Sequence, residues 1–277
     1  MKPFRQVAIV GTGLVGGSIG LALRNKKIAR VGLDRPEVLR KALKFGAIDR
    51  KAGNLKEAVD GADLIILATP VGEILDLLPQ LAARVPPAAL ITDVGSTKRE
   101  ICRLAEKDLK NFIGGHPLAG KEKNGIESAD GKLFAGKNWF LCANGNPAAL
   151  ARLKNFVRLL GARPMVVRPE AHDRILAATS HLPQLVSTIL AATVVGLLKK
   201  ETKSIQAFAG TGLRDTTRLA GSRFSVWKDV FATNHLEIER AWNRFAERVT
   251  QISDVVSHSR ILERRFGEAN AFRRRLE

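Results

Sequence analysis

Short apolar runs alternate with amphipathic stretches along the N-terminal part of the chain. Candidate strands lie at residues 7–10, 30–34, 64–68, 90–93, 112–114, 139–143 and 165–167. Apolar positions spaced three and four apart predict helices between several of them, at residues 18–24, 36–45, 73–83, 98–109 and 148–160. This alternation predicts an α/β fold with a mostly parallel sheet and helices on both of its faces.

The pattern changes near residue 168. From Glu170 onward the apolar spacing is helical with almost no strand-like alternation, and long helices are expected at residues 170–199 and 234–265. Breaks at residues 210–212 and 220–222 separate shorter helices between them. We therefore expect two domains, an α/β domain at residues 1–168 and an all-helical domain at residues 169–277.

The longest nearly uninterrupted apolar run spans residues 185–198. It is shorter than the about 20 apolar residues that a membrane helix needs, so we interpret it as a buried core or interface helix and expect no membrane partner. The first residues lead directly into a strand without a cleavable signal pattern. Cys102 and Cys142 lack a CxxC or metal-ligand spacing, which favours reduced, buried thiols and a cytoplasmic protein.

The net charge of the chain raises the question of a charged partner. A formal charge of +18 suits attraction of an anionic small substrate, neutralisation of nucleic-acid phosphates, or a solvated basic surface. The basic residues are spread along the chain without a nucleic-acid-binding motif, and aromatic residues make up only 5% of it. We therefore favour a solvated basic surface and expect no nucleic-acid partner.

A glycine-rich loop follows the first strand directly and opens a helix. The loop consists of Gly11, Thr12, Gly13, Leu14, Val15 and Gly16. In this GxGxxG pattern the first glycine permits a tight turn, the second lets the backbone approach a pyrophosphate, and the third allows close packing of helix on strand. The helix N-terminus then offers free amide hydrogens to the anion. The six residues therefore predict a Rossmann-type dinucleotide site.

Asp34, at the end of the second strand, is expected to select the cofactor. A carboxylate here accepts hydrogen bonds from the adenosine ribose hydroxyls and repels a 2′-phosphate, which favours NAD. Arg35 follows immediately and is suited to bind that phosphate instead, so NADP is the alternative. Thr69 and Pro70 follow a later strand, and because ligands bind at the carboxyl ends of parallel strands, both are expected at the cofactor crevice.

Ser96 and His116 are the candidate catalytic residues of the α/β domain. His116 lies between Gly115 and Pro117 in a loop after an apolar strand, and histidine is readily tuned to exchange a proton near neutral pH. Ser96 is suited to bind a substrate hydroxyl or, equally, to cap the next helix. Glu122 either gates the site or is a solvated carboxylate between two lysines.

The helical region supplies further candidates. Ser180 and Gln184 share a helix face at i, i+4 spacing, beside a kink expected at Pro183, so they form either a site wall or a capped bend. Arg214 and Arg218 flank Asp215 and suit binding of a carboxylate, or else an exposed ion-paired helix start. The five histidines show no i, i+4 pair, so no metal site is expected.

Taken together, these segments resemble the prephenate/arogenate dehydrogenase family nearly from end to end. The resemblance rests on the order and spacing of GTGLVGGS, TDVGSTK, GGHPLAGKE, SHLPQ and TGLRDTTRLAG, followed by Trp227. It implies an NAD(P)-dependent oxidative decarboxylation, of prephenate to 4-hydroxyphenylpyruvate or of arogenate to tyrosine. It also implies that the helical domain forms a homodimer.

The resemblance assigns roles to the candidate residues. His116 would draw the proton of the ring hydroxyl as hydride leaves the same carbon, and Ser96 would orient that hydroxyl. Arg218 matches the family's arginine for the substrate carboxylate, with Asp215 and Glu122 in the charged network around it. These roles favour Arg218 over Arg214.

The resemblance favours prephenate as the substrate, with arogenate as the close variant. Gln184 departs from some prephenate-using members, which carry a histidine there, and so leaves the choice between the two substrates open. A related hydroxyacid or imine reductase is disfavoured because that class generally uses a lysine base in the helical domain, and residues 179–195 contain none. A non-catalytic NAD-binding protein would explain the charge but leave Ser96, His116 and Arg218 without a role.

Overall fold

A single sheet forms the N-terminal part of the molecule. The computed structural model describes residues 4–121, 123–143, 145–198, 205–253 and 259–276. The strands of the described residues are β1 (Gln6–Val10), β2 (Ala29–Leu33), β3 (Arg50–Lys51), β4 (Leu64–Leu67), β5 (Leu90–Asp93), β6 (Phe112–Pro117), β7 (Asn138–Ala143) and β8 (Arg163–Val166). Their order across the sheet is β3-β2-β1-β4-β5-β6-β7-β8.

Helices follow most strands and make up the C-terminal part of the described chain. They are α1 (Leu14–Ala22), α2 (Pro36–Lys44), α3 (Leu55–Val59), α4 (Val71–Ala82), α5 (Arg99–Ala105), α6 (Pro147–Leu159), α7 (Pro169–Leu176), α8 (Leu182–Leu197), α9 (Ile205–Phe208), α10 (Thr211–Thr217), α11 (Phe224–Thr233), α12 (His235–Ser253) and α13 (Ser259–Arg274). A π-helical turn, Ala177–His181, joins α7 to α8, and a 3-10 turn, Arg218–Gly221, follows α10.

The sheet is parallel except where β6 pairs with β7 in antiparallel register. The predicted fold class is therefore confirmed, an α/β sheet followed by helices. The sequence pattern missed β3 because its two residues, Arg50 and Lys51, are polar and exposed at the sheet edge, where no apolar alternation marks a strand.

Alternate residues of β1 bury into two different cores. Val7 and Ile9 pack with side chains of α1 and α6 on one face of the sheet. Ala8 and Val10 pack with side chains of α4 and α5 on the other. Because successive side chains of a strand point to opposite faces, a strand covered on both sides is apolar, as Val7–Val10 of β1 and the fully buried β4 are.

His116 lies within a strand, and its predicted place in a loop was wrong. β6 extends to Pro117, and His116 pairs with Phe140 of β7. The neighbouring glycines, Gly114 and Gly115, are required by the packing of the protein itself. A Cβ on Gly115 would stand 2.3 Å from the Asp93 carbonyl oxygen, and one on Gly114 would stand 2.7 Å from Cys102 Sγ.

The predicted helix from residue 170 is present and, as predicted, continues through Pro183. Residues Pro169–Leu197 form a continuous helical segment of 29 residues, in which the π-helical turn precedes Pro183. Proline cannot donate to the carbonyl four residues earlier, and the π-helical turn accommodates this loss without ending the helix. The predicted helix at residues 234–265 corresponds to α12 and part of α13, with residues 254–258 outside the described chain.

By length and composition alone, Pro169–Leu197 is able to cross a membrane, with a mean hydropathy of 1.4 over its most apolar window, which is 28% buried. Our estimate that this apolar region is too short was wrong, because the helix begins well before Leu185. The core helix of a soluble protein passes the same test. Its exposed apolar side chains, among them Ile189, Val195 and Leu197, require a covering surface.

Candidate active site

The glycine-rich loop lines a cleft at the carboxyl ends of β1, β2 and β4. This glycine-loop cleft has a volume of about 640 Å³. Six predicted cofactor residues line it: Gly11, Gly13, Asp34, Arg35, Thr69 and Pro70. The other four, Thr12, Leu14, Val15 and Gly16, lie in the loop and the first turns of α1 without lining the cleft.

The three glycines of the loop differ in what surrounds them. Gly11 has a φ of +91°, which other residues rarely adopt, and it also lies against the backbone of Ala68, where a Cβ would not fit. A Cβ on Gly16 would stand 1.9 Å from the Gly11 carbonyl oxygen, which keeps α1 close to the sheet. Gly13 has nothing within 4 Å of a Cβ position, so its open side belongs to the cleft.

Asp34 stabilises the loop as well as lining the cleft. Its Oδ2 accepts hydrogen bonds from the backbone N–H of Thr12 at 2.7 Å and from Thr12 Oγ1 at 3.2 Å. Arg35 points away from Asp34 to an exposed ion pair with Glu37, 3.5 Å from Nε to Oε1. Glu73 and Asp76 also line the cleft, so three carboxylates and the guanidinium-bearing Arg35 lie along its wall.

A second pocket lies at the carboxyl ends of β5 and β6, against the helical part of the chain. This His116 pocket has a volume of about 320 Å³. It brings together Ser96, His116 and Ser180, which the sequence predicted from three separate segments. His181 and Trp227 complete its helical wall, their rings edge to face with centroids 5.9 Å apart.

His116 is buried and uncharged at neutral pH. Burial lowers its pKa well below the usual value, and the nearby positive charges that His172, Lys98 and His181 carry when protonated lower it further. Its Nδ1 lies 2.8 Å from His172 Nε2. His172 in turn places Nδ1 2.8 Å from Asp173 Oδ1. A neutral imidazole in such a place is suited to accept a proton from a bound hydroxyl.

A buried ion pair joins the strand ends that carry Ser96 and His116. Asp93 and Lys98 have no exposed side-chain surface, and their carboxylate and ammonium groups are in direct contact. Asp93 Oδ1 also accepts the N–H of Gly115 at 2.9 Å, and Oδ2 accepts the N–H of Gly95 at 2.8 Å. One carboxylate therefore fixes the backbone beside each of the two candidate catalytic residues.

Ser96 does not cap the following helix, so that alternative was wrong. The helix α5 begins at Arg99, and Ser96 makes no capping hydrogen bond to it. The carboxylate of Asp173, from α7, occupies that place: it accepts the N–H of Lys98 at 2.8 Å and the N–H of Arg99 at 2.9 Å. The hydroxyl of Ser96 is left to the His116 pocket.

Gln184 lies on α8 one turn beyond Ser180 and does not line the His116 pocket. Its Nε2 donates to the Leu219 carbonyl at 2.9 Å and to Thr188 Oγ1 at 3.2 Å. Its buried Oε1 has no hydrogen-bond partner among the described residues.

The predicted charged network is on the surface of this chain. Arg214, Asp215 and Arg218 are exposed on α10 and the 3-10 turn after it, outside the residues that line the His116 pocket. That turn is held on α8, because the N–H of Ala220 donates to Ser187 Oγ at 3.1 Å. Glu122 lies outside the described residues.

The residues with no sequence-based role are His172, Asp173, His181, Asp93 and Lys98. All are buried, and a signal was present for some of them: a charged residue ends the apolar strand β5, and polar residues interrupt the apolar face of α7. A polar residue within an apolar element indicates a buried hydrogen-bonding group, but its partner is visible only in the folded chain.

Two family models match consecutive parts of the chain. The model described as prephenate dehydrogenase, nucleotide-binding domain, matches residues 19–166, and the model described as prephenate dehydrogenase, dimerization domain, matches residues 168–266. The chain belongs to the prephenate dehydrogenase family. The predicted resemblance is thereby confirmed, and the two matches meet where the sheet ends and α7 begins.

Individual relatives of this prephenate dehydrogenase family member agree over most of its length. It is 33% identical to prephenate dehydrogenase of Bacillus subtilis (strain 168) over 264 residues, 90% of this chain and 68% of that protein. The structure of A. aeolicus prephenate dehydrogenase in complex with hydroxyphenyl propionate and NAD+ has a TM-score of 0.92 at 28% identity, covering 100% of this chain and 99% of the other. Synechocystis arogenate dehydrogenase has a TM-score of 0.86 at 29% identity, covering 98% and 100%.

Proposed function

We propose that the protein is an NAD-dependent dehydrogenase that oxidatively decarboxylates prephenate to 4-hydroxyphenylpyruvate in tyrosine biosynthesis. The observation that carries this proposal is the His116 pocket. In a chain of the prephenate dehydrogenase family, it places a buried neutral imidazole beside the hydroxyls of Ser96 and Ser180. The pocket adjoins the strand ends that also form the glycine-loop cleft, so base and cofactor share one edge of the sheet.

The glycine-loop cleft fits NAD. Gly13 leaves its backbone open to a pyrophosphate, and the buried Oγ1 of Thr69 has no hydrogen-bond partner in the described part of the chain. The carboxylates of Asp34, Glu73 and Asp76 disfavour the additional phosphate of NADP. When bound, NAD supplies the acceptor for the hydride that leaves the substrate ring.

His116 accepts one proton and later returns it in this reaction. As hydride leaves the ring carbon that bears the hydroxyl, His116 takes the hydroxyl proton and a ring ketone forms. The bond between the ring and its carboxylate then breaks, and carbon dioxide leaves. The electron pair of that bond restores the aromatic ring and converts the ketone to a phenolate. His116 returns the proton to that oxygen, so the enzyme needs one base and no further acid. Ser96 orients the hydroxyl throughout.

The substrate carboxylate is proposed to bind Arg218, with Asp215 and Glu122 in the charged network around it and Ser180 and Gln184 along the helical wall. The support is the family's arginine at this position, in a turn that is hydrogen-bonded to Gln184 and Ser187 of α8. Arg214 lies one turn earlier and donates through Nε to the Ala209 carbonyl at 3.1 Å, so it is the arginine to compare with Arg218.

We propose further that residues 1–168 and 169–277 are separate domains and that the second forms a cytoplasmic homodimer. The match to a dimerization domain and the exposed apolar residues of α8 and α12 support a partner subunit as their cover, with neither a membrane nor a nucleic acid required. Sedimentation equilibrium is expected to give twice 30.2 kDa. A monomer at micromolar concentration would contradict the dimer.

Arogenate is the second candidate substrate, and Gln184 favours it. Its buried Oε1 is an acceptor without a partner among the residues that the structure describes, and arogenate carries an ammonium donor where prephenate carries a ketone. Formation of NADH should therefore be followed spectrophotometrically with prephenate and arogenate side by side. Turnover of prephenate supports the main proposal, preference for arogenate supports the second, and no turnover of either overturns both.

A further inference from the structure

A second histidine lies directly behind the proposed base. His172 has no exposed side-chain surface, and its Nε2 meets Nδ1 of His116 at 2.8 Å. The Nε2 atom of His116 makes no hydrogen bond to the described residues, and His116 lines the pocket. One nitrogen of the base is thus held by the protein, and the other is available to substrate.

Asp173 decides which nitrogen of each ring carries a proton. Its two oxygens accept backbone N–H groups from Lys98 and Arg99, so both act as acceptors. His172 must then donate to Asp173 through Nδ1, at 2.8 Å. Burial lowers the pKa of His172, so this ring is neutral and its Nε2 carries no proton. Nδ1 of His116 must therefore be the donor in the bond between the two rings, and Nε2 of His116 must be bare.

We propose that His172 and Asp173 are positioning residues that hold His116 in the tautomer whose Nε2 accepts the substrate proton. The inference rests on the proposed function, because it assigns the state of the base in that reaction. Without the pair, nothing among the described residues would keep the ring proton on Nδ1, and a proton on Nε2 would block acceptance.

The pair also stabilises the charge that forms on His116. When Nε2 of His116 accepts the substrate proton, the ring becomes an imidazolium and its Nδ1–H still donates to His172 Nε2. This hydrogen bond is stronger than the one from the neutral ring because its donor is now charged. No proton passes to Asp173, and the added proton returns to the phenolate oxygen. The other titratable groups near the ring are His181 and the Lys98–Asp93 ion pair, and among the described residues none of them is hydrogen-bonded to its nitrogens.

The tautomers are directly observable in the wild-type protein. Long-range proton–nitrogen NMR correlation of the full chain labelled with ¹⁵N-histidine distinguishes bare from protonated ring nitrogens, and five histidines give a tractable spectrum. At neutral pH we expect both His116 and His172 to carry their proton on Nδ1. A wild-type His116 with its proton on Nε2 would overturn the proposal, whatever the activity of the enzyme.

Substitution of Asp173 should reverse both tautomers. In Asp173→Asn the amide can donate to His172 Nδ1, which moves the His172 proton to Nε2 and the His116 proton to Nε2 in turn. We expect kcat to fall by about 10²–10⁴-fold, as for a base presented in the wrong tautomer, with little change in NAD affinity. If Asp173 only caps α5, the melting temperature falls but the His116 spectrum stays as in wild type, and the proposal fails.

A matched pair at His172 separates positioning from packing. His172→Gln keeps an oxygen to accept from His116 and an amide to donate to Asp173, whereas His172→Phe keeps only the ring volume beside Phe140. We expect His172→Gln to retain most of the wild-type kcat. We expect His172→Phe to lower kcat at least tenfold and to shift the acid limb of the pH profile. Equal effects of the two variants would overturn the proposal.

Thr233→Val is the control for general loosening between sheet and helices. Thr233 Oγ1 contacts Thr97 Oγ1 at 2.7 Å and so joins the same two parts of the chain without touching the histidines. We expect kcat and the histidine spectrum of this variant to stay as in wild type. Should wild-type enzyme turn over neither substrate, the proposed function fails, while the tautomer measurement still decides the state of the two rings.

Discussion

At the scale of single residues, the site depends on side chains that are buried without losing their function. His116 is 9% exposed, enough to meet a ligand and too little to be solvated. Desolvation disfavours its charged form, so the ring stays neutral at a pH where an exposed histidine begins to protonate. A base of this kind is ready to accept a proton but needs a hydrogen-bonding partner to stabilise the charge it gains.

His116→Asn tests the assignment of the base. The amide cannot accept a proton as imidazole does, so we expect kcat to fall by about 10²–10⁴-fold while NAD affinity, measured by fluorescence titration, stays the same. The glycine-loop cleft is not altered, so its affinity is the internal control. Near wild-type turnover would show that another group is the base.

The pair Arg218→Ala and Arg214→Ala tests which arginine binds the substrate carboxylate. Loss of a charge-assisted bidentate contact should raise KM for Arg218→Ala by about tenfold or more, with a smaller effect on kcat. Arg214→Ala is the matched control, since this side chain already serves the Ala209 carbonyl. A larger KM effect for Arg214→Ala would reverse the assignment.

At the scale of elements, the ends of β5 and β6 form the rigid base of the site. The carboxylate of Asp93 binds the backbone of both strand ends, and Lys98 neutralises it in the interior. Close approach of the two strands leaves no room for a side chain at Gly115. The antiparallel pairing with β7 then extends β6 through His116 and fixes the backbone of the base.

Gly115→Ala tests this close approach. Its methyl group would stand 2.3 Å from the Asp93 carbonyl oxygen, and backbone cannot move away cheaply. We expect a loss of about 1–3 kcal/mol in the free energy of unfolding, measured in urea. Gly120→Ala is the control, because nothing lies within 4 Å of a Cβ there. Equal stability of both variants would show that the strands are not closely packed.

At the scale of the whole molecule, three buried histidines lie where the sheet meets the helices. His116 comes from β6, His172 from α7 and His181 from the π-helical turn, and burial lowers the pKa of each. Asn234 Nδ2 joins this cluster by donating to the Asp173 carbonyl at 2.9 Å. The junction is therefore stable only while the three rings remain neutral.

A fall in pH below neutral should lower the free energy of unfolding through the buried histidines of this junction. The pKa of His181 falls from 6.5 to about 4 on folding, so the unfolded chain binds the proton first. Stability is full above pH 6.5 and is lost as the pH falls toward 4, by about 3 kcal/mol for this residue. His116 and His172 act in the same direction.

Urea unfolding at several pH values between 7.5 and 5 checks this expectation. His181→Gln removes the titrating ring and should flatten the dependence on pH. His235→Gln, at an exposed histidine, should leave the slope as in wild type. An unchanged slope in His181→Gln would contradict the prediction.

The sequence by itself determined the fold class, the glycine loop and the three polar residues that it predicted for the His116 pocket. Apolar alternation is a local property, so it revealed β1, β4 and β5 and the change to helices. The motifs around Ser96, His116 and Ser180 were found because polar or glycine-rich residues interrupt apolar elements. The two-residue strand β3 carries no such pattern and was missed.

Only the tertiary structure decided what surrounds His116. Asp173 is 75 positions from Lys98, and His172 is 56 from His116, and no spacing rule joins residues so far apart. The tertiary structure also shows why two residues are present where they are. Gly115 makes room for Asp93, and Asp173 occupies the helix-capping place first considered for Ser96. Local patterns record which residues are buried, whereas the partner that each buried polar group requires is chosen by the packing of β5, β6 and α7 in space.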